Sequence, residues 1–338
     1  MPDGLVGQYA GVVCDLDGVV YRGPEAVDHA VAALSTLALP VVYATNNASR
    51  PPGDVAAHLA ELGLTVSDAE VVTSSQAGAR ELADRLPPGA TVLAVGGSGV
   101  ADALRDNGFL VLTAREARDA AGAQLDAVLQ GYGSEVTAAD LAEAAYAVSA
   151  GAVWVVTNTD ETLPTNRGTA PGNGTLVDAV RRATRLEPTV VGKPHAPLYQ
   201  LCASRLGLDV RVVLAVGDRL STDIAGASEA GMDSVLLLTG VDSVTSVASA
   251  EPARRPTFVV EDLRSLTKPY AAPRRDDGWW SCGEERRRLV TDRWEVAAQG
   301  SPIEAARAAL AAVHEALDRG DIDSGAAGAL LSDLDRWQ

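Results

Sequence analysis

The chain has 338 residues, beyond the roughly 250 at which a single core usually stops growing, so two or three structural units are expected. With 47% hydrophobic and 22% charged residues it is globular rather than disordered, and a formal net charge of −17 argues against nucleic acid as a partner. No basic cluster leads into an apolar run at the start, and the richest apolar stretch, 30–44, is cut by Ser35, Thr36 and Pro40, so neither a signal peptide nor a membrane partner is expected.

Along the chain, 11–15 is a short apolar run ending in an acid and predicts a strand. A helix is predicted over 27–39 and a second strand over 40–44, just before Thr45, Asn46 and Asn47. The alternation continues with a helix over 55–62, a strand over 91–95, a helix over 100–107, a strand over 125–130 and a helix over 138–149. Strands over 153–157 and 212–216 follow, then a helix over 222–230. Strands alternating with helices imply an α/β fold with parallel sheets covered on their faces. Polar clusters directly follow several strands, as expected where reactive groups collect at the carboxyl edge of a sheet.

Between 76 and 187 these clusters are less acidic and Gly-rich, at 96–99, 131–133 and 172–174, and the stretch reads as an inserted second α/β domain. The 96–99 run lacks the lysine and the spacing of a nucleotide-binding loop and reads as a turn. After Pro269 the texture changes: Trp279, Trp280, Trp294 and Trp337 accompany predicted strands over 288–290 and 294–296 and helices over 303–317 and 324–334. This is a small appended domain without a catalytic constellation, its tryptophans buried against itself or against another subunit.

In Asp15-Leu16-Asp17-Gly18 two carboxylates lie two residues apart at a strand end, where they project the same way, and Gly18 lets the chain turn sharply. Such a pair needs a cation. Bound Mg²⁺ would leave Asp15 free to attack phosphorus, and like charge would let Asp17 hold a proton for the leaving oxygen. Taken alone, the pattern is equally that of a capped turn. Gly217-Asp218 follows a strand and leads into a helix carrying Asp223, which offers a metal ligand and a supporting carboxylate, or simply a cap. Lys193 and Lys268 are the only lysines in a chain whose other cations are arginines, so the compact ammonium in Gly192-Lys193-Pro194 suggests a phosphate or carboxylate partner. Thr45 and Asn46 supply hydroxyl and amide donors, or act as turn residues. Cys14, Cys202 and Cys282 lack metal-ligand spacing and fit a reducing, cytoplasmic compartment.

In the order Asp15-Leu16-Asp17-Gly18, Thr45-Asn46-Asn47, Gly192-Lys193-Pro194 and Gly217-Asp218 with Asp223, the chain resembles the four motifs of the haloacid-dehalogenase-like hydrolase superfamily, over about 8–268. The insert between the second and third motifs resembles the type-II-capped branch, subfamily IIA. That branch includes p-nitrophenyl phosphatases and phosphatases of phosphoglycolate, glycerol 3-phosphate, pyridoxal phosphate and nucleotides. The resemblance implies a Rossmann-like three-layer core formed by 1–75 and 188–268, an α/β cap over 76–187, and a C-terminal domain over 273–338 that could serve oligomerisation.

It further implies Asp15 as nucleophile, Asp17 as general acid and base, and Thr45, Asn46, Asn47 and Lys193 as phosphate binders. Asp15, the Asp17 carbonyl, Asp218 and Asp223 would form the Mg²⁺ site. Thr157-Asn158-Thr159-Asp160 resembles a cap loop laid over substrate, which makes Asn158 and Asp160 candidate substrate contacts. Where many relatives carry an aspartate shortly after the strand over 128–130, this chain has Gly131-Tyr132-Gly133, so no role is carried over there. The expected activity is Mg²⁺-dependent hydrolysis of a small phosphorylated metabolite through an aspartyl phosphate. An acidic, aromatic-poor cap makes glycerol 3-phosphate the first choice. Phosphoglycolate, nucleotides and sugar phosphates remain alternatives, as does a non-catalytic phosphate-binding regulator on the same fold. A homo-oligomer is expected.

Overall fold

Buried runs rich in β-branched residues set the strands: Val12 and Val13 in the first, and Val213 and Val216 with Leu214 in a later one, are nearly inaccessible to water. The computed structural model describes residues 4–120, 122, 124–165 and 167–337. Strand β1 (Gly11–Asp15) is followed by a short ladder, β2 (Tyr21–Arg22) with β3 (Glu25–Ala26), then by β4 (Val41–Thr45) and β5 (Val71–Thr73). The middle of the chain holds β6 (Thr91–Val95), β7 (Leu110–Thr113), β8 (Ala127–Gln130), β9 (Val153–Val156), β10 (Thr162–Thr165), β11 (Gly168–Pro171) and β12 (Thr189–Val190). Then come β13 (Val213–Gly217), β14 (Asp233–Leu237), β15 (Phe258–Val260), β16 (Arg274–Asp276), β17 (Trp279–Cys282), β18 (Glu285–Val290) and β19 (Arg293–Ala298).

Two compact units result, one formed by Met1–Val41 and Leu208–Gln338, the other by Val42–Gly207. In the first unit, parallel pairing runs β15-β14-β13-β1. The register sets Cys14 against Val216, so Asp15 emerges beside Gly217, one residue before Asp218. Parallel pairing thus carries two distant acidic segments to the same edge.

The first unit also contains the C-terminal segment, an antiparallel meander β16-β17-β18-β19 followed by helices Pro302–Arg319 and Ser324–Leu331. Ala306, Ala309, Leu310 and Val313 of the longer helix share one apolar cluster with Ile224, Leu236, Leu238 and Val259 of the parallel-sheet part. Two of the tryptophans are satisfied inside the same unit: Trp294 donates to the Leu330 carbonyl at 3.0 Å and Trp280 to Glu315 at 3.1 Å. Arg286 and Arg288 stack on Trp279, and Arg287 pairs with Glu285 at 2.7 Å.

The second unit holds a parallel five-stranded sheet, β12-β9-β8-β6-β7, the parallel pair β4-β5 and the antiparallel hairpin β10-β11. Helices Ala138–Ser149 and Asn173–Thr184 pack on one another beside that sheet through Ala144, Val148, Val177 and Val180.

Two helices differ from expectation. The one predicted over 27–39 is confined to Ala30–Ser35: His29 enters in the left-handed region (φ 66°), and the Thr36 hydroxyl donates back to the Ala32 carbonyl at the other end. The one predicted over 222–230 begins as a π-turn, Leu220–Ile224, before the α-helix Ala225–Ala230.

Candidate active site

In the first unit, one carboxylate oxygen from each of Asp15, Asp218 and Asp223 lies within 4.8 Å of the others. All three are buried, Asp218 completely. β1 ends at Asp15, and the backbone turns at once: the N–H groups of Val19 and Val20 donate to the Leu16 carbonyl, and Gly18 N–H donates to Tyr21 O at 2.8 Å. Gly18 sits at φ +90°, and a Cβ there would collide with the Asp218 carboxylate, so the close approach of the two loops requires glycine. Asp17, beyond the strand end, is exposed, and its side chain lies outside the carboxylate group.

Asp223 is held by the π-turn. Its Oδ2 accepts the backbone N–H groups of Asp218 (3.3 Å) and Arg219 (3.1 Å), which fixes the loop that presents Asp218. A second support comes from the loop after β14, where Val241 N–H donates to Asp218 Oδ2 at 2.9 Å. Asp242 N–H donates to the Asp218 carbonyl at 3.0 Å, and Asp242 Oδ2 accepts Leu220 N–H at 2.7 Å. Asp242 was not anticipated from the sequence. Its signal, a Gly240-Val241-Asp242 cluster directly after an apolar strand, is the same one that marked Asp15 and Asp218.

The donor set fits Mg²⁺: the oxygens are hard carboxylate donors, and three acids this close and this dry call for a divalent cation. Asp15 and Asp218 would hold the ion. Asp223, already bonded to two backbone N–H groups, would orient Asp218 or complete the site.

In the second unit, Thr45 closes β4, and its hydroxyl oxygen accepts Asn47 N–H at 3.0 Å; Asn47 Oδ1 in turn accepts Ser49 N–H at 3.0 Å. Asn46 Oδ1 accepts Lys193 N–H (2.8 Å), while its Nδ2 donates to the Lys193 carbonyl (3.1 Å) and to Asp160 Oδ2 (3.3 Å). Asn158 Nδ2 donates to the Asn46 carbonyl (2.8 Å), and Asn173 Nδ2 to the Asn158 carbonyl (2.7 Å). The structure therefore brings Thr45, Asn46, Asn158, Asp160 and Lys193 together, and adds Asn173 and Ser74, whose hydroxyl donates to the Asn46 carbonyl at 2.7 Å. Gly192 is needed for this closeness, because a Cβ there would strike the Thr157 carbonyl and the Asn46 amide. Lys193 is buried. Burial pushes the nearby Cys202 thiol up to about 12, and the Lys193 charge pulls in the opposite direction.

By class, then, this is an α/β protein with a buried three-carboxylate group, fit to hold a divalent cation, at the carboxyl ends of adjacent parallel strands. Residues 12–110 match the family described as haloacid dehalogenase-like hydrolase, and residues 190–266 a HAD-hydrolase-like family. D-glycerol 3-phosphate phosphatase of Mycobacterium tuberculosis is 48% identical over 255 residues, 75% of this chain and 70% of that protein. A solved glycerol phosphate phosphatase from the same organism, in complex with magnesium, is similar with a TM-score of 0.84 and 39% identity over 99% of each chain. A 5'-nucleotidase of Bacillus subtilis is 32% identical over 258 residues, 75% of this chain and 96% of that protein.

The chain belongs to the haloacid dehalogenase-like hydrolase family. Within it the chain is an enzyme, a phosphatase, and Mg²⁺ is its cofactor. Among the described residues no helix is long and apolar enough to cross a membrane.

Proposed function

We propose that the chain hydrolyses glycerol 3-phosphate to glycerol and inorganic phosphate through an acyl phosphate on Asp15. The observation that carries this reading is the buried group Asp15, Asp218 and Asp223, its oxygens within 4.8 Å of one another at the ends of paired parallel strands. The choice of substrate is supported by similarity to the M. tuberculosis D-glycerol 3-phosphate phosphatase and by a likeness to a solved glycerol phosphate phosphatase that extends through the C-terminal segment.

In this mechanism an Asp15 carboxylate oxygen forms a bond to phosphorus as the ester P–O bond breaks. Asp17, exposed two residues on, gives its proton to the leaving glycerol oxygen and then accepts one from the water that opens the acyl phosphate, which releases phosphate and restores Asp15. The Thr45 hydroxyl, the Asn47 segment and the Lys193 ammonium bind the phosphoryl oxygens, on which charge spreads in an in-line transfer. Asn158 and Asp160 belong to the loop proposed to meet the glycerol part. Bound Mg²⁺ would supply charge neutralisation, allowing an anionic carboxylate to approach an anionic ester.

Residues 1–75 with 188–268 as catalytic core, 76–187 as cap and 273–338 as an added domain remain part of this proposal, as do a cytoplasmic location and a homo-oligomer. Self-association is supported by Val290 and Val296, both 43% exposed on the last hairpin, and light scattering tests it. The substrate is tested by phosphate release from glycerol 3-phosphate, phosphoglycolate, nucleoside monophosphates and sugar phosphates, with Mg²⁺ and with a chelator. Higher kcat/KM for a nucleotide or a sugar phosphate would replace the substrate, and no metal-dependent release from any ester would favour a binding protein.

A further inference from the structure

We infer that the Asn46 side chain is a positioning group that acts through Lys193, rather than a direct phosphate ligand. The inference rests on the phosphatase reading above. A side-chain amide has two N–H donors, and both donors of Asn46 are engaged, one with the Lys193 carbonyl and one with Asp160 Oδ2. Its Oδ1 accepts Lys193 N–H, so the amide closes a ring of two hydrogen bonds around the backbone of that one residue. Neither side-chain N–H remains to meet a phosphoryl oxygen. The neighbouring Thr45 is different: its hydroxyl oxygen accepts Asn47 N–H and keeps its own proton for donation.

The rest of the network makes Asn46 a fixed point. Its carbonyl accepts from both Ser74 Oγ and Asn158 Nδ2, which fills that oxygen's two lone pairs. Asn158 Oδ1 accepts Asp160 N–H at 3.2 Å, and the Asn158 carbonyl accepts from Asn173, the first residue of helix Asn173–Thr184. Three asparagines therefore tie the end of β4, the loop after β9 and the start of that helix to the backbone that carries Lys193. A lysine ammonium rides on four flexible carbons, so where it sits depends on where its backbone is held and on how tightly its stem is enclosed. Lys193 is only 3% exposed, so its enclosed stem shifts with the backbone that the Asn46 clamp holds.

The test is a double-mutant cycle. Asn46→Ala, Lys193→Met and the double variant are compared for kcat and KM on glycerol 3-phosphate with Mg²⁺, for inhibition by inorganic phosphate, and for melting temperature. If Asn46 acts through Lys193, Asn46→Ala lowers kcat about 10 to 100-fold with little change in KM, the scale expected when a catalytic group is displaced by about 1 Å. In the Lys193→Met background the same change then costs less than about 2-fold, since coupled groups are strongly non-additive. An equal loss in both backgrounds, with weakened inhibition by phosphate, would mean that Asn46 meets the phosphoryl group itself and would overturn the inference alone. If Asn46→Ala does not fold, Asn158→Ala, which removes the donor to the Asn46 carbonyl, is read in the same cycle. Unchanged turnover in Lys193→Met overturns both this inference and the role given to Lys193. A wild-type protein that releases no phosphate overturns the phosphatase reading, and this inference with it.

Discussion

Asp15→Asn keeps the shape of the side chain and removes the charge proposed to attack phosphorus. Turnover should fall below detection in a phosphate-release assay while the melting temperature stays near that of the parent; retained turnover would assign the nucleophile elsewhere. The two other carboxylates should separate by role. Asp218→Ala removes a buried group proposed to hold the cation and should raise the Mg²⁺ concentration needed for half-maximal rate steeply. Asp223→Ala removes the acceptor of the Asp218 and Arg219 N–H groups, and a supporting loss of this kind commonly costs about 10 to 100-fold. A magnesium titration of both variants checks the order, and equal, negligible effects would remove these residues from the metal site. Asp15 and Asp218 were legible in the sequence because they end or directly follow an apolar strand, and Asp223 because it lies in the helical segment that follows Asp218. Asp242 carried the same kind of signal, but the clamp made by Asn46 did not show, because it depends on a partner brought near only by folding: Asn46 and Lys193 are 147 positions apart.

At the scale of elements, helix Pro302–Arg319 carries both a packing and a pH test. Leu310 is 5% exposed and packs in the cluster shared with β14 and β15, so Leu310→Ala should destabilise the protein by about 2 to 5 kcal/mol, read from denaturant melts. His314 on the same helix is hydrogen-bonded to the Val247 carbonyl at 2.8 Å, and burial holds its pKa below the ordinary 6.5, with Arg255 acting in the same direction. The unfolded chain takes up this proton near 6.5 and the folded chain only at lower pH, so this contribution is complete above 6.5 and is lost as the pH falls. Melting temperature should therefore drop more steeply below pH 6.5 in the parent than in His314→Gln, and parallel curves would remove His314 from the acid sensitivity.

The strands over 91–95 and 11–15 and the helix over 138–149 were readable to the residue, because buried runs are bounded by turn residues or by a Thr cap at position 137. Shorter strands such as Val71–Thr73 and Phe258–Val260 carry too few residues for a period to show. The hairpin β10-β11 alternates no apolar face and gave no signal at all.

At the scale of the whole molecule, the C-terminal segment shares a core with the parallel-sheet part of its own unit, since Val313, Ala327 and Leu331 lie in one cluster with Ile224 and Leu236. Removing the chain from Pro273 onward should therefore lower the melting temperature markedly instead of releasing an independent module, and a truncation as stable as the parent would contradict the shared core. The sequence texture marked where this segment begins; that its apolar helix faces close on β14 and β15 is a tertiary fact that no local pattern carries. The central claim, catalysis through Asp15, is tested most directly by acid-quenching the Asp17→Asn variant during turnover of p-nitrophenyl phosphate, whose leaving group needs no proton donor, with Mg²⁺ and locating phosphoryl groups by peptide mass spectrometry. An alkali-labile phosphoryl group on the peptide containing Asp15 is the expected result, because with this ester the first step runs without the general acid while loss of the general base slows the second and lets the acyl phosphate accumulate. Turnover with the phosphoryl group on another residue, or with none on the protein, would contradict it.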